Sequence, residues 1–332
     1  MNSPIPVLVL FGPTASGKTD LLLRLFGPGA AKLCDAEVVS ADSMQVYRGM
    51  DIGTAKPSAE QRSLLPHHLI DIRNPDEQFS VGDFVRLANE AITGIASRGA
   101  LPVVCGGTGF YLKNCVLGLP ESPPSDMAIR DALKLELREK GTATLMAELA
   151  RCDPASAEKI HPNDEYRLLR ALEVLRLSGR PLSSFGVSGA EPANSDPSPP
   201  RCRYLVLGLF RPREELYRRI NERCAAMFAH GLPGEVRRLH EAGYSPKDPG
   251  LRAIGYREFF VQDELCSSDE PGKYRLSQDT DGVQALVAQN SRRYAKRQIT
   301  FFASLPDARK IMAERDDAET AQRLRKELEG FL

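Results

Sequence analysis

No run in this 332-residue chain approaches the roughly 18 consecutive apolar residues that a bilayer-spanning helix needs, which excludes a helical membrane protein. Its seven cysteines, at 34, 105, 115, 152, 202, 224 and 266, include no C-x-x-C pair. An odd count without metal spacing excludes a disulfide scaffold and a zinc ribbon, and fits reduced thiols in the cytoplasm. Met1 to Pro6 bring no Lys or Arg ahead of a short apolar run, so no signal or transit peptide is expected. No repeat of fixed period is present. Net charge is lacking too, with 44 Lys plus Arg against 44 Asp plus Glu. The total therefore points to no polyanionic partner, although it can hide a basic face opposite an acidic one. What remains is ordinary globular material, 42% hydrophobic and 27% charged, long enough for about two domains.

The first hundred residues alternate strand and helix signals. Ile5 to Phe11 is an apolar, β-branched run that predicts a buried strand, and Thr19 to Phe26 has helical spacing. Glu37 to Ala41 predicts a second strand, His68 to Ile72 a weaker third, and Leu101 to Cys105 a fourth. Phe84 to Ala96 predicts an amphipathic helix that stops near Gly99. This order implies an α/β fold: a P-loop parallel-sheet core with helices on both faces. From Ser125 to about Ser178 the pattern is helical throughout, and 188–200 reads as a Pro- and Ser-rich linker. Tyr204 to Phe210 predicts a strand again, and Arg213 to His230 a helix. The expected organisation is a core over 1–120, a helical insertion domain over 121–200, and a return to the core with added helices over 201–332.

Gly12-Pro13-Thr14-Ala15-Ser16-Gly17-Lys18-Thr19 matches G-x-x-x-x-G-K-[ST], after a strand and at the opening of a helix. Glycines there let backbone N–H groups converge on phosphate oxygens, while the helix start and Lys18 add positive charge. The Thr19 hydroxyl is placed to ligate magnesium, Mg2+, held against the same phosphates. The loop grips two adjacent phosphates without reading what they carry. A nucleotide or small-molecule kinase is therefore one reading, and a nucleotide-switched RNA-binding module another.

Ligands of open parallel sheets bind outside the carboxyl ends of the strands. Asp42 and Ser43 leave one such end, and Thr108 leaves another behind Gly106-Gly107. From chemistry alone Asp42 has three readings: a water-mediated magnesium carboxylate, a general base, or a turn cap.

Several longer stretches resemble the tRNA dimethylallyltransferases, the isopentenyl-transferring tRNA-modifying enzymes. They are 12–19, Asp42-Ser43-Met44-Gln45 onward to Pro57, Pro66-His67-His68 with Asp71-Ile72, and Gly106 to Tyr111. His161 to Asp164, Arg167 to Glu173, Gly255-Tyr256-Arg257 and Lys296 to Thr300 continue the likeness to about residue 302. The chain departs from the pattern at Phe301-Phe302-Ala303, where many members carry Trp and then a basic residue, and 188–200 is longer than usual. The resemblance implies transfer of a dimethylallyl group from dimethylallyl diphosphate to N6 of the adenosine beside the anticodon, at position 37. It implies Asp42 as general base, Lys18 and Thr108 as further catalytic residues, and the loop with Arg223 as the diphosphate site. It also implies contact with the anticodon stem-loop by Asp42, Ser43, Met44, Gln45, Thr108, Arg130, Tyr166, Arg167, Leu168, Leu169 and Arg170. Arg252, Ala253, Ile254, Gly255, Tyr256, Arg257, Lys296, Arg297, Gln298, Ile299, Thr300 and Phe301 complete that set. A cytoplasmic monomer is expected.

The residues suit that chemistry. An allylic diphosphate leaves as an anion, so catalysis calls for N–H donors and positive charge on it. Arg219 and Arg223, four apart, either add to that charge or form a solvated helix face. The amide of Gln45 matches an adenine edge, or is a solvated turn residue. Arg292, Arg293, Lys296 and Arg297 surround Tyr294, the mixture that suits a folded single-stranded loop. His67 and His68 lack a third ligand nearby and are expected to be structural.

Overall fold

The computed structural model describes residues 3–30, 33–120, 122–185, 201–262, 274–305, 307–313 and 317–332. It divides into two compact units, Met1–Val116 with Pro199–Leu332, and Leu117–Ser198. The expected linker at 188–200 lies outside the described residues. The six described cysteines are unpaired. No helix among the described residues is long and apolar enough to cross a membrane.

The first unit starts with β1 (Ile5–Phe11), α1 (Lys18–Phe26) and β2 (Ala36–Ser40). Next come α2 (Ala59–Leu64), β3 (His67–His68), α3 (Val81–Ser97), β4 (Leu101–Gly106) and α4 (Gly109–Leu117). The strands form a six-stranded sheet in the order β3-β2-β4-β1, continued by Cys202–Phe210 and Arg309–Met312. Every pairing in it is parallel, with Leu8 of β1 opposite Val103 on one side and Leu205 on the other.

Alternation along β1 explains the layers. Leu8 and Leu10 join a core with Leu21, Leu22, Leu25 and Phe26 of α1, while Val7, Val9 and Phe11 point the other way and are equally buried. A strand buried on both faces needs a cover on each. On the second side α3 contacts β1, β2 and β4. It starts at a capping box between Ser80 and Asp83 and buries Phe84, Val85, Ala88, Ile92 and Ile95. Each of these side chains larger than alanine contributes about 1.5–3 kcal/mol. The third expected strand shrinks to His67–His68 because Leu69 and Asp71 take φ of +62° and +58°, outside the extended region.

The second unit holds α5 (Met127–Cys152), α6 (Pro154–Lys159) and α7 (Glu165–Ser178). Gly141, at φ +77°, kinks α5. Leu133, Leu145 and Leu149 pack with Ile160, Leu168, Leu169 and Leu172. Buried Glu173 accepts from Ser125 Oγ (2.6 Å), Asp126 N–H (2.7 Å) and Arg170 (3.0 Å). Burial alone would raise its carboxyl, but those donors hold it below the ordinary range.

The chain returns to the first unit through β5 (Cys202–Phe210), α8 (Arg213–Ala229) and α9 (Leu232–Glu241). A short antiparallel pair, β6 (Phe260–Gln262) and β7 (Tyr274–Leu276), was not expected from the sequence. Then follow α10 (Thr280–Phe302), β8 (Arg309–Met312) and α11 (Asp317–Glu329). The α10 end reaches the second side of the sheet, where the Phe302 and Phe11 ring centroids are 4.2 Å apart.

Candidate active site

The carboxyl ends of β2, β4 and β1 lie side by side, so the turns that leave them share one edge of the sheet. From β1 the chain runs into the loop 12–19. Gly12 passes so close to the Leu209 carbonyl that a Cβ would sit 2.7 Å from it, and Gly17 takes φ +96°, so both positions require glycine. Among the described residues, the N–H groups of Ala15, Gly17, Lys18, Thr19 and Asp20 have no acceptor. The fully buried Ser16 Oγ has no hydrogen-bond partner. A row of free donors at a helix start is an anion site.

Lys18 Nζ donates to the carbonyls of Gly12 (2.8 Å) and Pro13 (3.1 Å), folding back over its own loop. Burial holds its ammonium below the ordinary value; Arg223 pushes the same way, while Cys105 and Asp42 oppose. Arg223 on α8 is lowered by burial as well and is drawn up by Asp42. Lys18, Arg223 and Asp42 thus lie near enough to feel one another's charge. Burial pushes the Cys105 thiol up to about 11, so it is no nucleophile at neutral pH.

Asp42 caps its own turn, its Oδ1 accepting from Met44 N–H at 2.9 Å and from Gln45 N–H at 3.4 Å. Among the described residues its second oxygen has no partner, which leaves that oxygen available to a ligand. Thr108 Oγ1 accepts from Ser43 N–H (3.0 Å), joining the turn after β4 to the turn after β2. Tyr294 of α10 also reaches Thr108; burial pushes its hydroxyl up to about 12, with the Asp42 charge adding to the rise.

Several side chains that hold the loop were not legible in the sequence. Buried Arg211, directly after β5, donates from Nε to the Ser16 carbonyl (2.8 Å) and pairs with Asp317 of α11 (2.6 Å). A charged residue at the carboxyl end of a buried strand was the available signal. Arg219 is neither a solvated face nor a free cation: its Nε donates to the carbonyl of Ala15 (3.0 Å), whose φ of +62° needs such support. Gln298 takes Thr14 N–H on its Oε1 (3.0 Å) and donates from Nε2 to the Gly107 carbonyl (2.7 Å).

The residues expected to face RNA divide by exposure. Tyr166, Arg167, Arg252, Arg257, Lys296, Arg297, Ile299 and Thr300 are exposed. Ser43, Met44, Ile254 and Phe301 are half-buried. Arg130 stacks its guanidinium over the Tyr166 ring at 4.6 Å. Leu168, Leu169, Ala253, Gly255, Tyr256 and Gln298, expected in the same RNA-binding set, are buried. Helical and turn geometry put them inward while their neighbours face out. Arg170, also expected in that set, donates to Glu173 and to the Pro123 carbonyl. The Gln45 amide is occupied by Ser40 Oγ (3.0 Å) and the carbonyls of Thr54 and Ala55 (both 3.3 Å), so it is no free reader of a base. His68 bonds Glu37 at 2.6 Å and His67 bonds the Leu65 carbonyl, both structural roles.

A divalent cation fits the loop on its donor set. The Thr19 hydroxyl has no partner among the described residues, and no cluster of three or more His, Cys, Asp or Glu there could cage a metal. Magnesium suits such a place because it takes few protein ligands, with phosphate and water oxygens completing its shell.

Known proteins agree with this architecture. The model of the IPP transferase family matches residues 45–305. The tRNA dimethylallyltransferase of Geobacter sulfurreducens is 46% identical over 306 residues, 92% of this chain and 91% of its own. The full-length tRNA isopentenylpyrophosphate transferase structure from Bacillus halodurans superposes with a TM-score of 0.63 at 34% identity, covering 99% of this chain and 98% of its own. A eukaryotic dimethylallyltransferase acting on tRNA gives a TM-score of 0.74 at 25% identity, over 96% of this chain and 77% of its own. With that family model spanning most of its length, the chain belongs to the IPP transferase family.

Proposed function

We propose that this protein transfers a dimethylallyl group from dimethylallyl diphosphate to N6 of adenosine 37 in tRNA, releasing diphosphate. The observation that carries the reading is a loop of free N–H donors at a helix start, with Lys18 on it, close to Asp42, whose turn leaves one carboxylate oxygen free. The free N–H groups of the loop, with Lys18 and Arg223, bind the diphosphate. Their effect grows in the transition state, as the C1–O bond breaks and its electron pair passes to the departing diphosphate. The Thr19 hydroxyl would hold magnesium, which would supply charge neutralisation on that leaving group.

On the acceptor side, the adenine must leave its stack to reach the site. Its N6 is a weak nucleophile because the lone pair is delocalised into the ring. Asp42 takes the N6 proton as the N6–C1 bond forms, a general-base contribution of about 10²–10⁴ in rate. Its Oδ1 stays with the turn, so the carboxylate is aimed rather than free to rotate. Thr108 holds the neighbouring turn against Ser43. The exposed cations contact RNA phosphates, in the helical unit through Arg167 beside Tyr166 and in the first unit through Arg252, Arg257, Lys296 and Arg297. The protein works as a cytoplasmic monomer.

The test is incubation with labelled dimethylallyl diphosphate, magnesium and tRNA in the absence of ATP, followed by nucleoside analysis. Labelled N6-(dimethylallyl)adenosine with release of diphosphate is expected. Consumption of ATP on a small acceptor, with no label in RNA, would establish a kinase instead.

A further inference from the structure

Helix α10 presents two faces with different work. Its outward face carries Arg293, Lys296, Arg297 and Thr300, all exposed. Its inward side carries Tyr294, Gln298, Phe301 and Phe302; Gln298 stands four residues from Tyr294 and three and four from Phe301 and Phe302, the spacings that keep side chains to one side of a helix. Each inward residue meets the site. Tyr294 reaches Thr108, the Phe301 ring fills the space where a Gly109 Cβ would stand, and Phe302 lies on Phe11 at the end of β1. Gln298 stands at the centre, 6% exposed, between the anion loop and the turn before Thr108.

Each atom of its amide head has a separate task. Oε1 takes the Thr14 N–H and Nε2 donates to the Gly107 carbonyl, at 3.0 and 2.7 Å. Thr14 belongs to the loop that grips the donor, and Gly107 directly precedes Thr108. Beyond the β1–β4 pairing, which ends at Phe11 opposite Gly106, no hydrogen bond between the backbones of the two segments is present among the described residues. Gly107 has no Cβ, and one there would collide with Gln298 Nε2, so the sequence leaves room for this amide. An apolar side chain of the same length would leave a buried N–H and a buried carbonyl unsatisfied.

We infer that Gln298 is a positioning residue for prenyl transfer: its buried amide fixes the separation between the diphosphate loop and the Thr108 turn. It touches neither the reacting carbon nor N6 and acts through Thr14 and Gly107. This rests on the proposed prenyl transfer, and it gives the most buried member of the Lys296-Arg297-Gln298 run a task distinct from RNA binding. Misplacing a reacting group by about 1 Å costs roughly 10²-fold in rate, so a small change at this strut is visible in turnover.

The experiment compares Gln298→Met, Gln298→Glu and Arg297→Ala in the full chain. It measures kcat, KM for each substrate, tRNA affinity, inorganic pyrophosphate affinity and thermal unfolding. Methionine keeps the shape and removes both bonds. Its kcat should fall by about 10²-fold and pyrophosphate should bind more weakly, while tRNA affinity stays within about twofold of the parent. Glutamate keeps the acceptor for Thr14 N–H and loses the donor to Gly107, so kcat should still fall, and its charge beside the anion loop should weaken pyrophosphate binding as well. Arg297→Ala should show the opposite split, with weaker tRNA binding and parental pyrophosphate affinity. Folded Met and Glu variants that both keep parental kcat would overturn the inference. So would a loss of tRNA affinity in both with pyrophosphate binding unchanged, which would make Gln298 an RNA contact. If the parent transfers no prenyl group at all, the underlying reading fails instead, and weaker pyrophosphate binding by the Met variant would still support the strut.

Discussion

The Tyr256 hydroxyl donates to a carboxylate oxygen of Glu235 at 2.6 Å, and the same carboxylate collects the N–H groups of Asp51, Ile52 and Gly53 at 2.9–3.2 Å. Gly53 N–H also donates to the Tyr256 oxygen (3.1 Å), and a Cβ at Gly53 would stand 2.5 Å from the tyrosine ring. Both side chains are buried, so the pair is a post under the segment that follows Asp42. Tyr256→Phe should cost about 1.5–3 kcal/mol, the worth of a hydrogen bond to a charged group. Denaturant unfolding should show the loss, with tRNA affinity unchanged. Parental stability combined with weakened tRNA binding would return Tyr256 to the RNA face.

Asp42→Asn separates the two tasks of this residue. Asparagine keeps an oxygen for the Met44 and Gln45 N–H groups, so the turn should survive. What it lacks is a proton acceptor, and single-turnover prenylation should drop by about 10²–10⁴ while both substrates still bind. Transfer at close to the parental rate would place the base elsewhere. Weakened donor binding would point to a metal-linked task.

Lys18 should make diphosphate binding depend on pH. Burial lowers its ammonium from the ordinary 10.5, so without an anion the folded chain holds this proton less tightly than the unfolded chain does. Its contribution to stability therefore rises with pH between the lowered value and 10.5. An anion in the loop favours the charged form and reverses the preference. Pyrophosphate affinity should then weaken as pH climbs past the lowered value, and binding there should take up a proton. Lys18→Arg stays charged throughout and is the control. Calorimetric affinities should give a parent-to-variant ratio of dissociation constants that grows with pH, and a flat ratio would remove Lys18 from the site.

Much of this was legible because local chemistry and fold agree. Ile5–Phe11 declares itself a strand by its β-branched, apolar run, and 12–19 declares an anion loop by glycines that nothing else could replace. The strand at His68 to Ile72 failed because two positive-φ residues end it, and sequence alone does not display a backbone angle. Arg211, Glu235 and Gln298 were illegible as supports for a related reason. Glu235 and Gln298 are polar residues in polar-looking stretches and Arg211 stands at a strand end, and only the tertiary fold turns each inward onto distant backbone groups. Motif membership marked Leu168, Tyr256 and Gln298 without telling a contact from the support beneath one. Exposure makes that distinction.

Two arginines three residues apart on α7 put that distinction to a salt test. The Arg167 side chain is 69% exposed and pairs with Asp164 at 3.3 Å. Arg170 is 22% exposed and is spent on Glu173 and the Pro123 carbonyl. A cation that neutralises an RNA phosphate releases counterions, so each contact adds roughly 0.7–0.9 to the slope of log affinity against log salt. Arg167→Ala should flatten that slope by about one contact, and Arg297→Ala in α10 should do the same. Arg170→Ala should leave the slope alone and cost stability instead, because it strips a donor from a buried carboxylate. Full removal of a buried partner costs about 3–5 kcal/mol, and the remaining donors, Ser125 and the Asp126 N–H, should hold the loss below that. Filter-binding titrations with tRNA at several salt concentrations, paired with unfolding curves, read both quantities. Unchanged slopes for both Arg167→Ala and Arg297→Ala would remove these residues from the RNA face. A flattened slope for a stable Arg170→Ala would mean that its bonds to Glu173 and Pro123 give way to a phosphate on binding.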